Sequence, residues 1–262
     1  MCLAAKHYCA RSITKNKLPV RLSEYSTVHV GFEASRPMEQ VINMLVAALE
    51  SCLYREFILP TEAISDEFRL SFSVLAKDSY MRSGDNYRFR AFSKGILIGN
   101  EIYWDDNSAF FQAQNINKYM GGVERVFDPL CVAAQQAAQQ LIIASNFFPP
   151  GSRQQYQLGC HQIRIIVTES NIGMPAPEGF HQDGFEHIII SCIDSDNIYG
   201  GLTLLKLFGN ESTTPLYTSE LGPGSALLLD DVAVEHYTTP ITHKIPGNGY
   251  RDVLVLTFKK LT

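Results

Sequence analysis

Apolar positions along the chain follow two different periods, and the change falls near Gly151. From Pro37 onward, Val41, Met44, Leu45, Ala48, Leu49, Cys52 and Leu53 recur at three- and four-residue intervals, which predicts an amphipathic helix. Pro37 in its first turn and Ser35 just upstream suit a helix start. A second helix is predicted after Pro60-Thr61 and a third over Asp128–Asn146. In the third, Leu130, Ala134, Ala137, Ala138, Leu141 and Ile142 form the apolar stripe, and the Gln135-Gln136 and Gln139-Gln140 pairs form its wetter face. The run Phe147-Phe148-Pro149-Pro150-Gly151 ends it.

After Gly151 the pattern is that of strands. His161–Thr168, His187–Ile193, Leu202–Phe208, Ser225–Asp230 and Arg251–Lys259 are short β-branched or leucine-rich runs. Turn signals separate them at Pro175–Gly179, Asp194–Asn197, Gly200-Gly201, Gly222-Pro223-Gly224 and Pro246–Gly249. Strands in succession without intervening helices predict an antiparallel sandwich or barrel. No linker-like stretch and no internal repeat divides the chain. One α+β domain is therefore expected, with helices packed outside a C-terminal β-barrel.

Composition narrows the class. The 262 residues are 45% hydrophobic and 19% charged, which predicts a soluble globular chain with a sizeable core. A net charge of -5 is opposite to the basic surplus of nucleic-acid binders. No apolar run approaches the ~18–20 residues of a membrane span. Cys2, Cys9, Cys52, Cys131, Cys160 and Cys192 are scattered without close pairs, so neither a disulfide framework nor a thiolate zinc site is expected. Reduced thiols in a cytoplasmic setting fit better. The first 23 residues carry Lys6, Arg11, Lys15, Lys17 and Arg21 and no acid; an ordinary basic arm is preferred there over a targeting segment. The oligomeric state stays open, a homodimer being one option.

Candidate chemistry lies in Phe180-His181-Gln182-Asp183-Gly184. Extended positions two apart point the same way, so His181 and Asp183 can present an imidazole and a carboxylate to one ion. An iron(II) site of two histidines and one carboxylate needs one more imidazole and leaves positions open for substrate and oxygen. His236, just past the Ser225–Leu229 run, is preferred over His243, which sits in a proline-flanked turn. By itself a His-x-Asp is common by chance. Arg251 adds weight, because a strand seldom begins with a guanidinium unless it meets an anion or lies at the rim. Its fork suits a carboxylate such as the distal one of 2-oxoglutarate. His161, His187 and Cys192 read as packing or wall residues, and Trp104 as either core or pocket lining.

Pro177-Glu178-Gly179-Phe180-His181-Gln182-Asp183-Gly184 resembles the iron/2-oxoglutarate dioxygenase family that hydroxylates free amino acids, of which bacterial L-isoleucine dioxygenase is typical. Asn197–Gly201, Leu229-Asp230-Asp231, His236 with Thr239-Pro240-Ile241, and Gly249–Val255 fall in the same order. Upstream, Tyr87–Arg90, Gly121-Gly122 with Glu124-Arg125, and His161–Ile165 also look like its landmarks. The resemblance runs from about Tyr87 to Phe258. It implies a double-stranded β-helix (cupin-like jelly-roll) core over residues 86–262, preceded by a supporting helical extension over 1–85. It implies His181, Asp183 and His236 as Fe(II) ligands and Arg251 as partner of the 2-oxoglutarate distal carboxylate. Thr257, on the face of its strand shared with Arg251, is a further candidate for the cosubstrate. The implied reaction uses O2, releases succinate and CO2, and hydroxylates an unactivated C–H of a free L-amino acid, by family default an aliphatic one. Halogenating relatives lack the carboxylate, so Asp183 favours hydroxylation; desaturation or ring closure by the same oxidising centre is the alternative. Arg90 and Arg164 are candidates for the substrate carboxylate and Glu178 for its ammonium. A non-catalytic cupin-type binding protein is the competing class; it has no need of an open iron site.

Overall fold

The computed structural model describes residues 53–106, 109–114, 116, 121–148, 151–210 and 214–261. The helix expected from Pro37 lies almost wholly outside them. In chain order the strands are β1 (Tyr54–Ile58), β2 (Arg88–Ile98), β3 (Glu101–Trp104), β4 (Ala109–Phe111), β5 (Glu124–Val126), β6 (Gln155–Val167) and β7 (His187–Asp196). They continue with β8 (Ile198–Gly200), β9 (Leu202–Leu207), β10 (Tyr217–Glu220), β11 (Ser225–Asp230), β12 (Val234–Thr238), β13 (Ile241–His243) and β14 (Gly249–Lys260). The helices are α1 (Asp66–Ser71) and α2 (Val132–Ser145).

A seven-stranded sheet runs in the order β1-β11-β7-β14-β6-β2-β3, and a three-stranded one in the order β10-β9-β12. The smaller sheet gains a further edge where His181 pairs antiparallel with His236. The set β6-β14-β7-β11 opposite His181-β12-β9-β10 is a double-stranded β-helix, with β1, β2 and β3 extending the larger sheet. Each central strand divides its residues by the period of two. On β7, Ile188, Ile190 and Cys192 pack with Leu205 and Val234 of the smaller sheet, between the two layers. Ile189 and Ile193 turn to the other face, where Leu254, Leu256 and Phe258 of β14 meet both helices. That outer face carries the larger apolar cluster and so anchors the barrel.

Helix α2 buries Ala134, Ala137, Ala138, Leu141 and Ile142 as the stripe predicts, and leaves its glutamines at the solvent side. It starts four residues later than expected. Pro129 disfavours helical geometry at Asp128, whose carbonyl instead accepts from Phe92 N–H, and Leu130 N–H donates to Ser93 Oγ. Asn146, at φ 46°, closes the other end. The second predicted helix is split into a 3-10 turn at Thr61–Ala63, α1 with Ser65 as its cap, and another 3-10 turn at Phe72–Val74. The helical extension expected before residue 86 is corrected in one respect. Tyr54–Ile58 is a strand that pairs antiparallel with β11 and forms an edge of the larger sheet, with Tyr54 and Phe57 packing on its two faces.

Candidate active site

The Pro175–Gly179 turn delivers His181 to the mouth of the barrel. Gly179 adopts φ +81°, a region that favours glycine, and its carbonyl lies 2.8 Å from His181 Nδ1. A carbonyl only accepts, so Nδ1 carries the proton and the Nε2 lone pair faces the cavity. His181 N–H donates to His236 O at 3.1 Å and His236 N–H returns the bond at 2.9 Å. The backbone pairing holds the two rings 4.3 Å apart. Asp183, two residues on, completes the group: Oδ1 is 3.7 Å from His181 Nε2 and Oδ2 is 3.8 Å from His236 Nε2. Those spacings are too long for hydrogen bonds and suit donors arranged about one ion. The three donor atoms lie within 4.8 Å of one another. His243 sits in β13, paired with β8, and is not in this group.

Burial would raise the Asp183 carboxyl, but the His236 and His181 rings and a hydrogen bond from Gln112 outweigh it and hold it below its ordinary value. Burial would likewise lower His236; Asp231 and Asp183 outweigh it and raise the ring. Gln112 Nε2 donates to the Asp183 carbonyl and to Oδ1, both at 3.2 Å. Its amide is oriented from behind by Arg125 Nη2, which donates to Gln112 Oε1 at 3.0 Å.

Larger-sheet strands line the rest of the cavity. Arg251 is 3% exposed, and its Nη2 has no hydrogen-bond partner among the described residues. Burial lowers its guanidinium from the ordinary value, and Cys192 and the Glu220 carboxylate offset this only in part. Gly201, at φ +71°, makes room for it: a Cβ there would stand 3.3 Å from Arg251 Cδ. Ile163, Ile165, Ile190, Val253 and Val255 form the apolar walls. At the other end Arg90 lies over Phe110 and Phe127, with Nη2 2.6 Å from His161 Nδ1. Burial pushes Arg90 down to about 9, and burial, with the charges of Arg90, Arg125 and Arg88, holds the His161 ring well below its ordinary value. Arg88 pairs with Asp78 at 2.8 Å. Arg90 Nε, Arg125 Nε and Glu178 Oε2 are buried without hydrogen-bond partners among the described residues.

The structure thus brings His181, Asp183, His236, Arg251, Arg90 and Glu178 to one cavity. Two candidates fall elsewhere. Arg164 points from β6 to the opposite face, where it makes a bidentate pair with Asp252 at 2.7 and 2.6 Å and stacks on Tyr250. Period two separates it from the cavity-facing Ile163 and Ile165. Thr257 shares the Arg251 face but lies six residues along, about 20 Å at strand rise, with its hydroxyl 3.5 Å from Gly159 O. One small cosubstrate cannot reach both. His161, expected as packing, lines the cavity, whereas Trp104 packs on the outer core. Sequence reasoning assigned no role to Arg88, Gln112, Arg125 or Asp231. A signal exists for three of them, because Arg88, Arg125 and Asp231 stand in stretches that carry the resemblance.

The model of the 2OG-Fe dioxygenase family matches residues 69–257. The chain belongs to the 2OG-Fe dioxygenase family. Solved structures agree in fold. A bsmA homolog from Methylobium petroleophilum PM1 superposes with a TM-score of 0.65 at 24% identity, over 83% of this chain and 92% of the other. IDO from Bacillus thuringiensis gives 0.62 at 19% identity, over 84% and 100%. The Fe(II)/(alpha)ketoglutarate-dependent dioxygenase TqaL gives 0.55 at 15%, over 84% and 87%. No curated protein matches the sequence. As a member of this family the dioxygenase works with Fe(II), 2-oxoglutarate and O2. The residues present fit those groups: a donor set of two imidazoles and a carboxylate suits ferrous iron, and the unpartnered, buried Arg251 Nη2 calls for an anion. No helix among the described residues is long and apolar enough to cross a membrane.

Proposed function

We propose that this dioxygenase hydroxylates an unactivated C–H bond of a free L-amino acid, with His181, Asp183 and His236 holding the iron and Arg251 the distal carboxylate of 2-oxoglutarate. The observation that carries the substrate class is the set of unsatisfied buried atoms at the end of the cavity away from Arg251. Arg90 Nε and Arg125 Nε lack acceptors and Glu178 Oε2 lacks a donor. Buried polar atoms are seldom left unpaired, and a zwitterion bearing an α-carboxylate and an α-ammonium answers both deficits at once. The apolar walls favour an aliphatic side chain.

When bound, iron(II) and 2-oxoglutarate supply the oxidising chemistry that consumes O2 and releases succinate and CO2. The chain's own contribution is placement. His181 offers Nε2 because Gly179 O holds the proton on Nδ1. Arg251 fixes one end of the cosubstrate by charge-assisted hydrogen bonds. Arg90, Arg125 and Glu178 orient the substrate so that one C–H faces the metal, and the isoleucine and valine walls keep water from competing.

Purified protein supplied with Fe(II), 2-oxoglutarate and a panel of L-amino acids is expected to form succinate with at least one of them and to add one oxygen to its mass. Loss of two hydrogens instead would favour desaturation or ring closure. Succinate at background with every amino acid, unchanged in His181→Ala, would overturn the proposal.

A further inference from the structure

Asp231 lies in the turn between β11 and β12, is 1% exposed, and spends its carboxylate on the metal-site residues. Its Oδ1 accepts from Asp183 N–H at 3.1 Å and faces His236 Nδ1 at 3.5 Å. Its Oδ2 accepts from Gly184 N–H at 2.8 Å and from Phe185 N–H at 3.1 Å. Three consecutive backbone N–H groups rarely converge on one carboxylate. They do so here because Gly184 takes φ +85°, which turns the chain into a small cationic concavity. The neighbouring Asp230 shapes the turn that delivers Asp231, accepting from Val232 N–H at 2.9 Å and Ala233 N–H at 3.0 Å. Gln182 fastens the same junction through Asp231 O and Val232 O, at 2.6 and 3.0 Å.

We infer that Asp231 is a positioning residue that couples two of the three proposed ligands, fixing the backbone that carries Asp183 and, through Nδ1, the ring of His236. The inference rests on the metal-centre reading above. Asp231 Oδ1, 3.5 Å from His236 Nδ1, is too far for a hydrogen bond but sets a negative charge beside that nitrogen, which favours the proton on Nδ1 and leaves the Nε2 lone pair for the metal, as Gly179 O does for His181. Asp231 therefore ties His236, on one strand, to Asp183, on a separate loop, in a single geometry. A carboxylate has acceptor sites for all three backbone N–H groups and a charge for the His236 ring, whereas an asparagine has no charge, one acceptor oxygen and a donor amide that must meet at least one of those N–H groups head-on.

The test compares metal-free wild type and Asp231→Asn, titrated with Mn(II) as an air-stable stand-in for Fe(II), free ion being read by paramagnetic resonance. The expected result is a 10- to 100-fold weaker Mn(II) affinity in the variant. Melting of the two metal-free proteins, measured alongside, separates placement from scaffolding: a lowered melting point with unchanged Mn(II) affinity overturns the inference. Should the variant fail to fold, nitrogen resonance of the wild-type imidazoles decides instead. The neutral His236 ring is expected as the Nδ1–H form, and the Nε2–H form overturns the inference. Failure of wild type to take up Mn(II) overturns the metal-centre reading beneath it.

Discussion

Arg251 shows how much of the site depends on one buried cation. It enters at the start of β14, faces the cavity by the period of two, and is admitted by the missing side chain of Gly201. With Arg251 holding the cosubstrate carboxylate, as proposed, an Arg251→Ala enzyme would leave that carboxylate buried without its partner, a loss of about 2–5 kcal/mol. The KM for 2-oxoglutarate is therefore expected to rise by at least ~30-fold, while Mn(II) affinity holds, because Arg251 is not among the metal donors. Arg251→Lys restores the charge without the two-pronged fork and is expected to fall between. A steady-state titration of 2-oxoglutarate checks both; an unchanged KM in Arg251→Ala would remove the residue from the cosubstrate site.

At the scale of elements, legibility followed chemistry. The central strands β6, β7, β9, β11 and β14 are readable because each carries a short run of aliphatic residues, such as Ile188-Ile189-Ile190 in β7 and Leu227-Leu228-Leu229 in β11, and the stripe on α2 because its small residues recur at helical spacing. Strand β2 was not readable: its inward positions are Arg88 and Arg90, so the hydrophobic pattern is inverted where the strand faces a polar cavity. Short strands such as β8 and β13 hold too few residues to show any period. In the cavity, spacing and the resemblance anticipate that His181, Asp183, His236 and Arg251 stand together. Arg164 falls outside the cavity because it takes the other face of β6, which composition does not reveal, and Gln112 goes unnoticed because an amide far away in sequence carries no motif. The division of faces makes its own prediction. Phe258 lies on the outer face of β14, stacked on Phe147 with ring centroids 4.7 Å apart. Phe258→Ala is expected to cost about 3–5 kcal/mol of stability, read by chemical denaturation, with Mn(II) affinity unchanged. A loss of affinity equal to the loss of stability would mean that the two faces are not separable.

The whole molecule pays for its function with a cavity in which like charges meet: Arg88, Arg90, Arg125 and Arg251 surround a space that also holds the three imidazoles of His161, His181 and His236. Burial lowers Arg90, Arg125 and Arg251 from their ordinary values, which means that the cavity resists their charge. Ligands of complementary chemistry should therefore stabilise the fold by mass action. A ligand at a hundred times its dissociation constant adds about 2.7 kcal/mol, and in a chain of this size each kcal/mol moves the melting point by roughly 2–4 °C. Mn(II) at that excess is expected to raise the melting point of the wild type by roughly 5–10 °C, and 2-oxoglutarate to add a further increment once metal is present. The two increments should be separable by mutation. His236→Ala is expected to lose the metal shift, and with it the 2-oxoglutarate shift. Arg251→Ala is expected to keep the first and lose most of the second. Thermal melting with each ligand alone and with both reads the pattern directly. A 2-oxoglutarate shift that survives in Arg251→Ala would place the cosubstrate's charged end against the Arg90 and Arg125 group instead, and the orientation of both small molecules in the cavity would have to be exchanged.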